Sequence, residues 1–226
     1  MNCSEYQDKM SAFCDGQLPD QEWLEMEGGY PTGVLAEGCA LRTTAPEVTN
    51  AKSPSARDPG RLLVALGHPQ LEDYAKTLMI LREALRSESG WEVVIRPHPR
   101  NPQSAEEALR AYAFAGTSPP TLSTGALREE LERAGVVVYS SSTVGLEAAS
   151  LGIPTICVDP GKALDMDPMW GWDSFKWRVE SPEGFRAALG QIRGMSSEEL
   201  EEGRRRAMAF GRSYLGPVTE VGLRHF

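Results

Sequence analysis

The chain of 226 residues lacks several features that would restrict its class at once. Its only cysteines are at positions 3, 14, 39 and 157, and their spacing fits neither paired metal ligands nor a disulfide framework. No apolar stretch approaches the roughly 20 residues of a membrane span, and the N-terminus has no basic region followed by an apolar core. These absences predict a cytoplasmic protein.

An excess of positive charge is also missing. The formal net charge is −9, which argues against a general affinity for nucleic acid or anionic lipid. The content of 41% hydrophobic and 24% charged residues is ordinary for a globular protein, and the chain is long enough to bury a sizeable core. Any phosphate-binding site must therefore be locally basic.

The first quarter of the chain shows no sustained hydrophobic period. Residues 1–58 are rich in Gly, Pro and polar residues, and they predict an irregular N-terminal arm and linker. Residues 59–226 predict a single Rossmann-like domain. Within it, the stretch Lys162 to Lys176 has no clear period and is rich in Trp.

Apolar runs alternate with helical patterns in the predicted domain. Val136 to Tyr139 is a continuous apolar run, which is typical of a parallel strand buried on both faces. The predicted strands lie near residues 61, 91, 136 and 153. The predicted helices are Leu71 to Ser87, Ser104 to Ala115, Thr124 to Ala134, Val144 to Leu151, one that begins at Ser181, and Ser196 to Tyr214. This order predicts an α/β fold with a doubly wound parallel sheet.

Three hydroxyl residues, Ser141, Ser142 and Thr143, follow the run that ends at Tyr139. A strand-to-helix turn exposes backbone N–H groups, and hydroxyls there can donate further hydrogen bonds, so the segment can hold a phosphate. The alternative is that one hydroxyl caps the helix. Glu147 does not complete a capping box, because position 144 is Val.

Unusual polar groups also follow two other predicted strands, in Gly67-His68-Pro69 and Arg96-Pro97-His98-Pro99-Arg100. Ligands bind beyond the carboxyl ends of parallel strands, so we expect these groups and the hydroxyl turn to face one crevice. Arg96 and Arg100 supply local positive charge. His98 could donate a hydrogen bond or a proton to a phosphate, or it could simply bond a backbone carbonyl. Glu147 could accept hydrogen bonds from a sugar diol, or only favour the helix dipole.

The segments Ile95-Arg-Pro-His-Pro99 and Ser141-Ser-Thr-Val-Gly-Leu-Glu-Ala-Ala-Ser-Leu-Gly-Ile-Pro154 resemble the C-terminal, donor-binding half of GT-B glycosyltransferases. They are most similar to enzymes of bacterial surface polysaccharide synthesis: capsule Kdo transferases, bacterial sialyltransferases and teichoic acid glycerophosphotransferases. The resemblance covers about residues 61 to 215. It implies that His98 and the 141–143 hydroxyls hold the phosphate of a CMP- or CDP-linked donor, and that Glu147 contacts donor hydroxyls.

The expected reaction is metal-independent and without a cofactor, because the helix N-terminus, the hydroxyls and the basic residues would stabilise the charge on the departing nucleotide. The expected location is the cytoplasm, with the periphery of the inner membrane as an alternative. Asp165-Met-Asp167 has the spacing of a metal-binding pair, but it does not follow a predicted strand. GT-B enzymes carry an acceptor domain before the donor domain, and about 60 irregular residues are too few for one. Three interpretations stay open: the sequence is a fragment, another chain supplies the acceptor domain, or the protein binds a nucleotide sugar without transferring it.

Two other classes of function are compatible with the sequence. A noncatalytic nucleotide-sugar-binding module would dock on a separate acceptor domain, and an exposed face of Trp170, Trp172 and Trp177 would favour it. The alternative for these tryptophans is a small satellite core. An epimerase of the same fold would prefer a uridine nucleotide sugar. The basic triplet 204–206 follows a run of Glu residues and predicts a salt-bridged helix face.

Overall fold

A computed structural model describes residues 57–66, 71–86, 88–98, 106, 109, 119–159, 161 and 167–215, all within one compact unit, Arg42–Pro217. Its strands are β1 (Asp58–Ala65), β2 (Glu92–Arg96), β3 (Thr121–Leu122), β4 (Ala134–Tyr139), β5 (Thr155–Val158) and β6 (Lys176–Val179). Its helices are α1 (Leu71–Leu85), α2 (Leu127–Arg133), α3 (Val144–Ser150), α4 (Pro182–Gly194) and α5 (Ser197–Tyr214). The predicted arm, residues 1–58, lies outside the described residues except for its last two positions.

The strands form one parallel sheet in the order β3-β2-β1-β4-β5-β6. The central strands are buried over most of their length, with Val137, Val138 and Tyr139 at 0% exposure. Continuous burial explains why the run after Gly135 is apolar without alternation. The predicted Rossmann-like, doubly wound α/β fold is confirmed.

Alternate residues of each strand face opposite layers of helices. Leu62, Val64 and Val138 pack with residues of α1 and α4, whereas Leu63 and Val137 pack with residues of α2 and α3. Further along the second face, residues of β4, β5, α3 and α5 form a separate cluster that includes Tyr139, Cys157, Leu146 and Ala207. The sheet is therefore covered on both sides.

Side-chain caps and a glycine define several helix ends. The Ser181 hydroxyl accepts a hydrogen bond from Gly184 N at 3.1 Å, with Pro182 in the first turn. Ser196 and Glu199 form a reciprocal capping box at the start of α5. Gly152 has φ +65°, the left-handed conformation in which glycine commonly ends a helix.

Three parts of the sheet region differ from the sequence prediction. The structure has two additional strands, β3 and β6, both at edges. β6 begins at Lys176, the last residue of the stretch predicted to be irregular. The sequence does not predict this strand, because its residues are mixed rather than continuously apolar. The helix predicted from Thr124 begins at Leu127, and Ala134 already belongs to β4. Of the helix predicted at 104–115, the structure describes only residues 106 and 109.

Candidate functional site

The strand order defines where a crevice forms. β1 has β2 on one side and β4 on the other, and the helices that follow β1 and β4 cover opposite faces of the sheet. Ligands bind in such folds outside the carboxyl ends of the strands where the order reverses. In this domain that position is the edge at which β1, β2 and β4 end.

Several predicted site residues lie at this edge. Arg96 ends β2 and the half-buried His98 follows two residues later, while Ser141, Ser142 and Thr143 follow β4. Since all the strands are parallel, the two groups lie on the same rim of the sheet. His68 and Arg100 lie outside the described residues, so their predicted roles stay predictions.

The three hydroxyls of the turn are not equivalent. Ser142 Oγ accepts a hydrogen bond from Val144 N at 3.3 Å. One hydroxyl therefore stabilises the start of the helix, in line with the alternative that a hydroxyl of the turn has a structural role. Thr143 occupies the N-cap position without a side-chain hydrogen bond, and it is exposed. Within the described part of the chain, the Ser141 hydroxyl also has no partner. Two hydroxyls therefore remain available to a ligand.

Glu147 lies one turn into α3 and is half-buried. Burial raises the pKa of its carboxyl group, and the positive charge of Arg96 opposes that shift without cancelling it. Among the described contacts, the carboxylate has no hydrogen bond or ion pair. A partly desolvated and unpaired carboxylate beside a cation can accept hydrogen bonds from ligand hydroxyls.

Arg96 is fixed from the side of β3. Its Nη1 donates to Gly125 O at 2.7 Å and lies 3.4 Å from Ser123 Oγ, in the turn between β3 and α2. Ser123 Oγ donates to Glu130 at 2.9 Å, and Glu130 pairs with the buried Arg61 at 2.5 Å. We call Arg61, Glu130, Ser123 and Arg96 the Arg96 network. The local sequence pattern does not reveal Arg61, Glu130 and Ser123 as members of this network, because their contacts depend on strand order.

Helix α3 sits directly on the ring of Tyr139. A Cβ atom at Gly145 would lie 2.8 Å from Tyr139 Cζ, so a side chain there would force the helix away from β4. At the other end of α3, Arg57 donates to the carbonyl oxygens of Leu151 at 2.6 Å and Gly152 at 3.2 Å. Burial and then the charge of Arg204 lower the pKa of Arg57 to about 10, so it stays charged at neutral pH.

The phenol of Tyr139 belongs to a second buried cluster. It donates to Asp167 Oδ1 at 2.8 Å, while Lys176 Nζ donates to Asp167 Oδ2 at 2.9 Å and to Met169 O at 2.6 Å. Asp167 Oδ1 also accepts from Met169 N at 2.9 Å. We call Tyr139, Asp167 and Lys176 the Asp167 network. It explains Asp167 as a structural residue, whereas Asp165 lies outside the described residues.

The predicted tryptophan face is mostly a small core. Trp172 stacks on Phe210 with ring centroids 4.4 Å apart, and Trp177 Nε1 donates to Gln191 Oε1 at 2.6 Å. Trp170 differs, because 61% of its surface is exposed. The satellite-core interpretation therefore holds for two of the three tryptophans.

Other predicted features also have a structural explanation. Arg204, Arg205 and Arg206 pair with Glu201 or Glu202, which confirms the salt-bridged face of α5. Cys157 is a buried free thiol whose pKa is raised by burial to about 12. The described residues include no cluster of three or more acidic, His or Cys side chains placed to hold a metal ion. In the same part of the chain, no helix is long and apolar enough to cross a membrane.

With this geometry, the domain belongs structurally to the Rossmann-like α/β class. No protein-family model and no curated protein sequence matches the chain. Among solved structures, an O-GlcNAc transferase from Thermobaculum terrenum is similar, with a TM-score of 0.52 and 16% identity over 76% of this chain and 34% of that one. A putative UDP-N-acetylglucosamine 2-epimerase from Listeria monocytogenes has a TM-score of 0.50 and 16% identity over 74% of this chain and 45% of that one.

A C-terminal CMP-Kdo binding domain of WaaA from Acinetobacter baumannii is also similar, with a TM-score of 0.45 and 16% identity over 72% of this chain and 92% of that one. The chain spans less than half the length of the first two proteins. At these identities the similarity concerns the fold alone, and the matched parts of the similar structures are GT-B half-domains.

Proposed function

We propose that this domain binds the donor of a glycosyltransferase, a nucleotide-activated sugar. The observation that carries the proposal is a set of polar groups at one rim of the sheet that, among the described contacts, have no partner or keep N–H groups available. They are the hydroxyls of Ser141 and Thr143, the carboxylate of Glu147 and the fixed cation of Arg96. Groups that only stabilise the fold would be satisfied within it, as those of the Asp167 network are.

In this proposal the ligand phosphate lies between the hydroxyl turn and the segment 96–98. Transfer forms a bond from the sugar carbon to an acceptor hydroxyl oxygen, whose proton goes to a base on the acceptor domain, and breaks the bond between that carbon and the phosphate oxygen. Negative charge therefore collects on the departing nucleotide. The hydroxyls, Arg96 and His98 stabilise that charge, and His98 can supply a proton. These roles require no metal ion or cofactor. Arg100 and His68 are proposed as further contacts near the same rim.

Glu147 completes the proposed site by accepting hydrogen bonds from the donor's hydroxyl groups. A cytidine donor, CMP- or CDP-linked, is favoured by the likeness of the two sequence segments to enzymes of surface polysaccharide synthesis. The proposed place of action is the cytoplasm, and an acceptor domain is the proposed partner.

A second candidate is a noncatalytic module that binds a nucleotide sugar and docks on another protein. The exposed ring of Trp170 favours it, since tryptophans anchor protein interfaces. Turnover separates the two functions. Release of nucleotide from a sugar donor when acceptor is added excludes the noncatalytic function.

A thermal-shift panel of cytidine and uridine nucleotides tests the ligand assignment. A ligand at about 100 times its Kd stabilises a protein by about 2.7 kcal/mol, which corresponds to a rise in Tm of roughly 5–10 °C here. We expect cytidine phosphates to produce this rise and His98→Ala to reduce it. Arg205→Ala, on α5, is the control that should leave it unchanged.

Two outcomes of the panel contradict parts of the proposal. If no nucleotide raises the Tm of the wild type, the donor-binding assignment fails. If only uridine nucleotides raise it, the cytidine preference is wrong and an epimerase-like protein becomes the better candidate.

A further inference from the structure

The guanidinium of Arg96 is held by one of its nitrogens. Nη1 donates to Gly125 O at 2.7 Å and contacts Ser123 Oγ at 3.4 Å. In the part of the chain that the structure describes, Nη2 and Nε make no hydrogen bond. The side chain is thus tethered on one side, and its other N–H groups remain available.

Ser123 is itself fixed in both main chain and side chain. Its backbone N donates to Ile95 O at 2.8 Å, which joins the β3–α2 turn to the residue before Arg96. Its hydroxyl donates to Glu130 Oε1 at 2.9 Å. A hydroxyl has a single proton, and Ser123 donates it to Glu130. The Ser123 oxygen can therefore only accept its other hydrogen bond, and it accepts it from Arg96.

Glu130 is oriented by Arg61, a side chain only 4% exposed. One carboxylate oxygen of Glu130 accepts from Arg61 and the other accepts from Ser123. Arg61 also pairs with Glu92 at 3.3 Å, but the Glu92 side chain is 48% exposed and has no link to Arg96. The Arg96 network therefore runs from the interior to the rim through Glu130 and not through Glu92.

The tether has a consequence for the charge at the rim. Arg96 is close enough to lower the pKa of Glu147, yet the two side chains do not form an ion pair among the described contacts. An untethered arginine would be free to pair with that carboxylate, which would neutralise both groups. The hydrogen bonds from Arg96 to Gly125 and Ser123 oppose the formation of an ion pair with Glu147.

We propose that Ser123 and Glu130 are positioning residues that hold the Arg96 guanidinium at the rim for a phosphate of the ligand. The inference rests on the proposed function for the identity of the ligand. It adds that the protein's preference for phosphorylated nucleotides over the nucleoside depends on side chains that do not touch the ligand.

The test compares the affinities of CDP and cytidine by calorimetric titration of the full chain. Arg96→Ala should lower the CDP-over-cytidine preference by about 10- to 100-fold, because it removes a charge-assisted contact. Ser123→Ala should lower it by about 3- to 10-fold, and adding Ser123→Ala to Arg96→Ala should have little further effect. Ser123→Thr keeps a hydroxyl and should restore the preference.

A measurement without nucleotide separates this inference from the proposed function. NMR relaxation of the Arg96 side chain should show greater mobility in Ser123→Ala than in the wild type, and no change in Glu92→Gln, the control that removes the charge of the other partner of Arg61. If Arg96 stays equally ordered in Ser123→Ala, the positioning inference is wrong, whatever nucleotides do.

The titrations give two further decisive results. An equal loss of CDP and cytidine affinity in Ser123→Ala, or full additivity with Arg96→Ala, would mean that Ser123 only stabilises its turn. If Arg96 becomes mobile in Ser123→Ala but the wild type binds no nucleotide, the tether exists and the proposed ligand is wrong.

Discussion

The Arg96 network and the Asp167 network each join residues far apart in the chain around a buried carboxylate, but they end differently. In the Asp167 network, both carboxylate oxygens accept hydrogen bonds, and Lys176 is 8% exposed. The Arg96 network begins equally buried, at Arg61, but ends at a half-buried cation at the rim. The closed network stabilises the fold, whereas the open one can serve a ligand.

The largest expected effect comes from breaking the closed network. Asp167→Ala leaves the Lys176 ammonium and the Tyr139 hydroxyl buried without their acceptor, which should lower the free energy of unfolding by about 3–5 kcal/mol. Urea denaturation measures the loss. Asp159→Ala, which breaks a more exposed pair with Arg178, is the comparison and should cost less than about 1 kcal/mol. Similar losses in the two variants would contradict the distinction.

The contact between Gly145 of α3 and the Tyr139 ring should give the next largest effect on stability. Gly145→Ala places a methyl group against the Tyr139 ring and should destabilise the protein by about 1–3 kcal/mol. Gly190→Ala is the matched control, because it lies in α4 with open space around it and should stabilise by about 0.5–1 kcal/mol. A stabilising Gly145→Ala would mean that the helix is not packed on the ring as described.

The C-terminal end of the same helix should show a smaller effect. Arg57→Ala removes two hydrogen bonds to the carbonyl oxygens that end α3, and we expect a loss of about 1–2 kcal/mol in urea denaturation. Arg57→Lys, which keeps the charge but not the two-armed geometry, should recover part of it. No loss in Arg57→Ala would show that α3 does not need this cap.

The smallest effect concerns Glu147 and has the opposite sign. Burial raises the pKa of this carboxyl in the folded state, so its protonated form favours folding at low pH and that contribution is lost as the pH rises through the raised value. Glu147→Gln should therefore unfold less readily than the wild type at pH 7, and the difference should shrink as the pH falls through the raised pKa and disappear below the ordinary value of 4.5. A less stable Glu147→Gln at pH 7 would show that the carboxylate serves the fold.

The sequence indicated those features that depend on neighbouring residues. The buried run before Ser140 and the helices that begin near Ser181 and Ser196 follow from local composition, and each is present. The edge strand β6 was missed because half-exposed strands carry a weak apolar pattern.

The residues that hold the candidate site in place could not be predicted from local sequence patterns. Ser123 and Glu130 look like ordinary loop and helix residues, and only the order β3-β2-β1 brings them to Arg96 and Arg61. Trp172 could have been exposed or packed, and its partner Phe210 is on a helix that begins 25 residues later. Such contacts are set by tertiary packing, which a single sequence does not display.

Amide chemical-shift mapping with CDP tests the central claim most directly, because it reports where a nucleotide binds and not only whether it binds. The account predicts shifts concentrated at Ser141 to Gly145 and at Arg96 and His98, with the exposed face of α5 unaffected. Saturation with CDP that leaves Ser141 to Gly145 unchanged would contradict it.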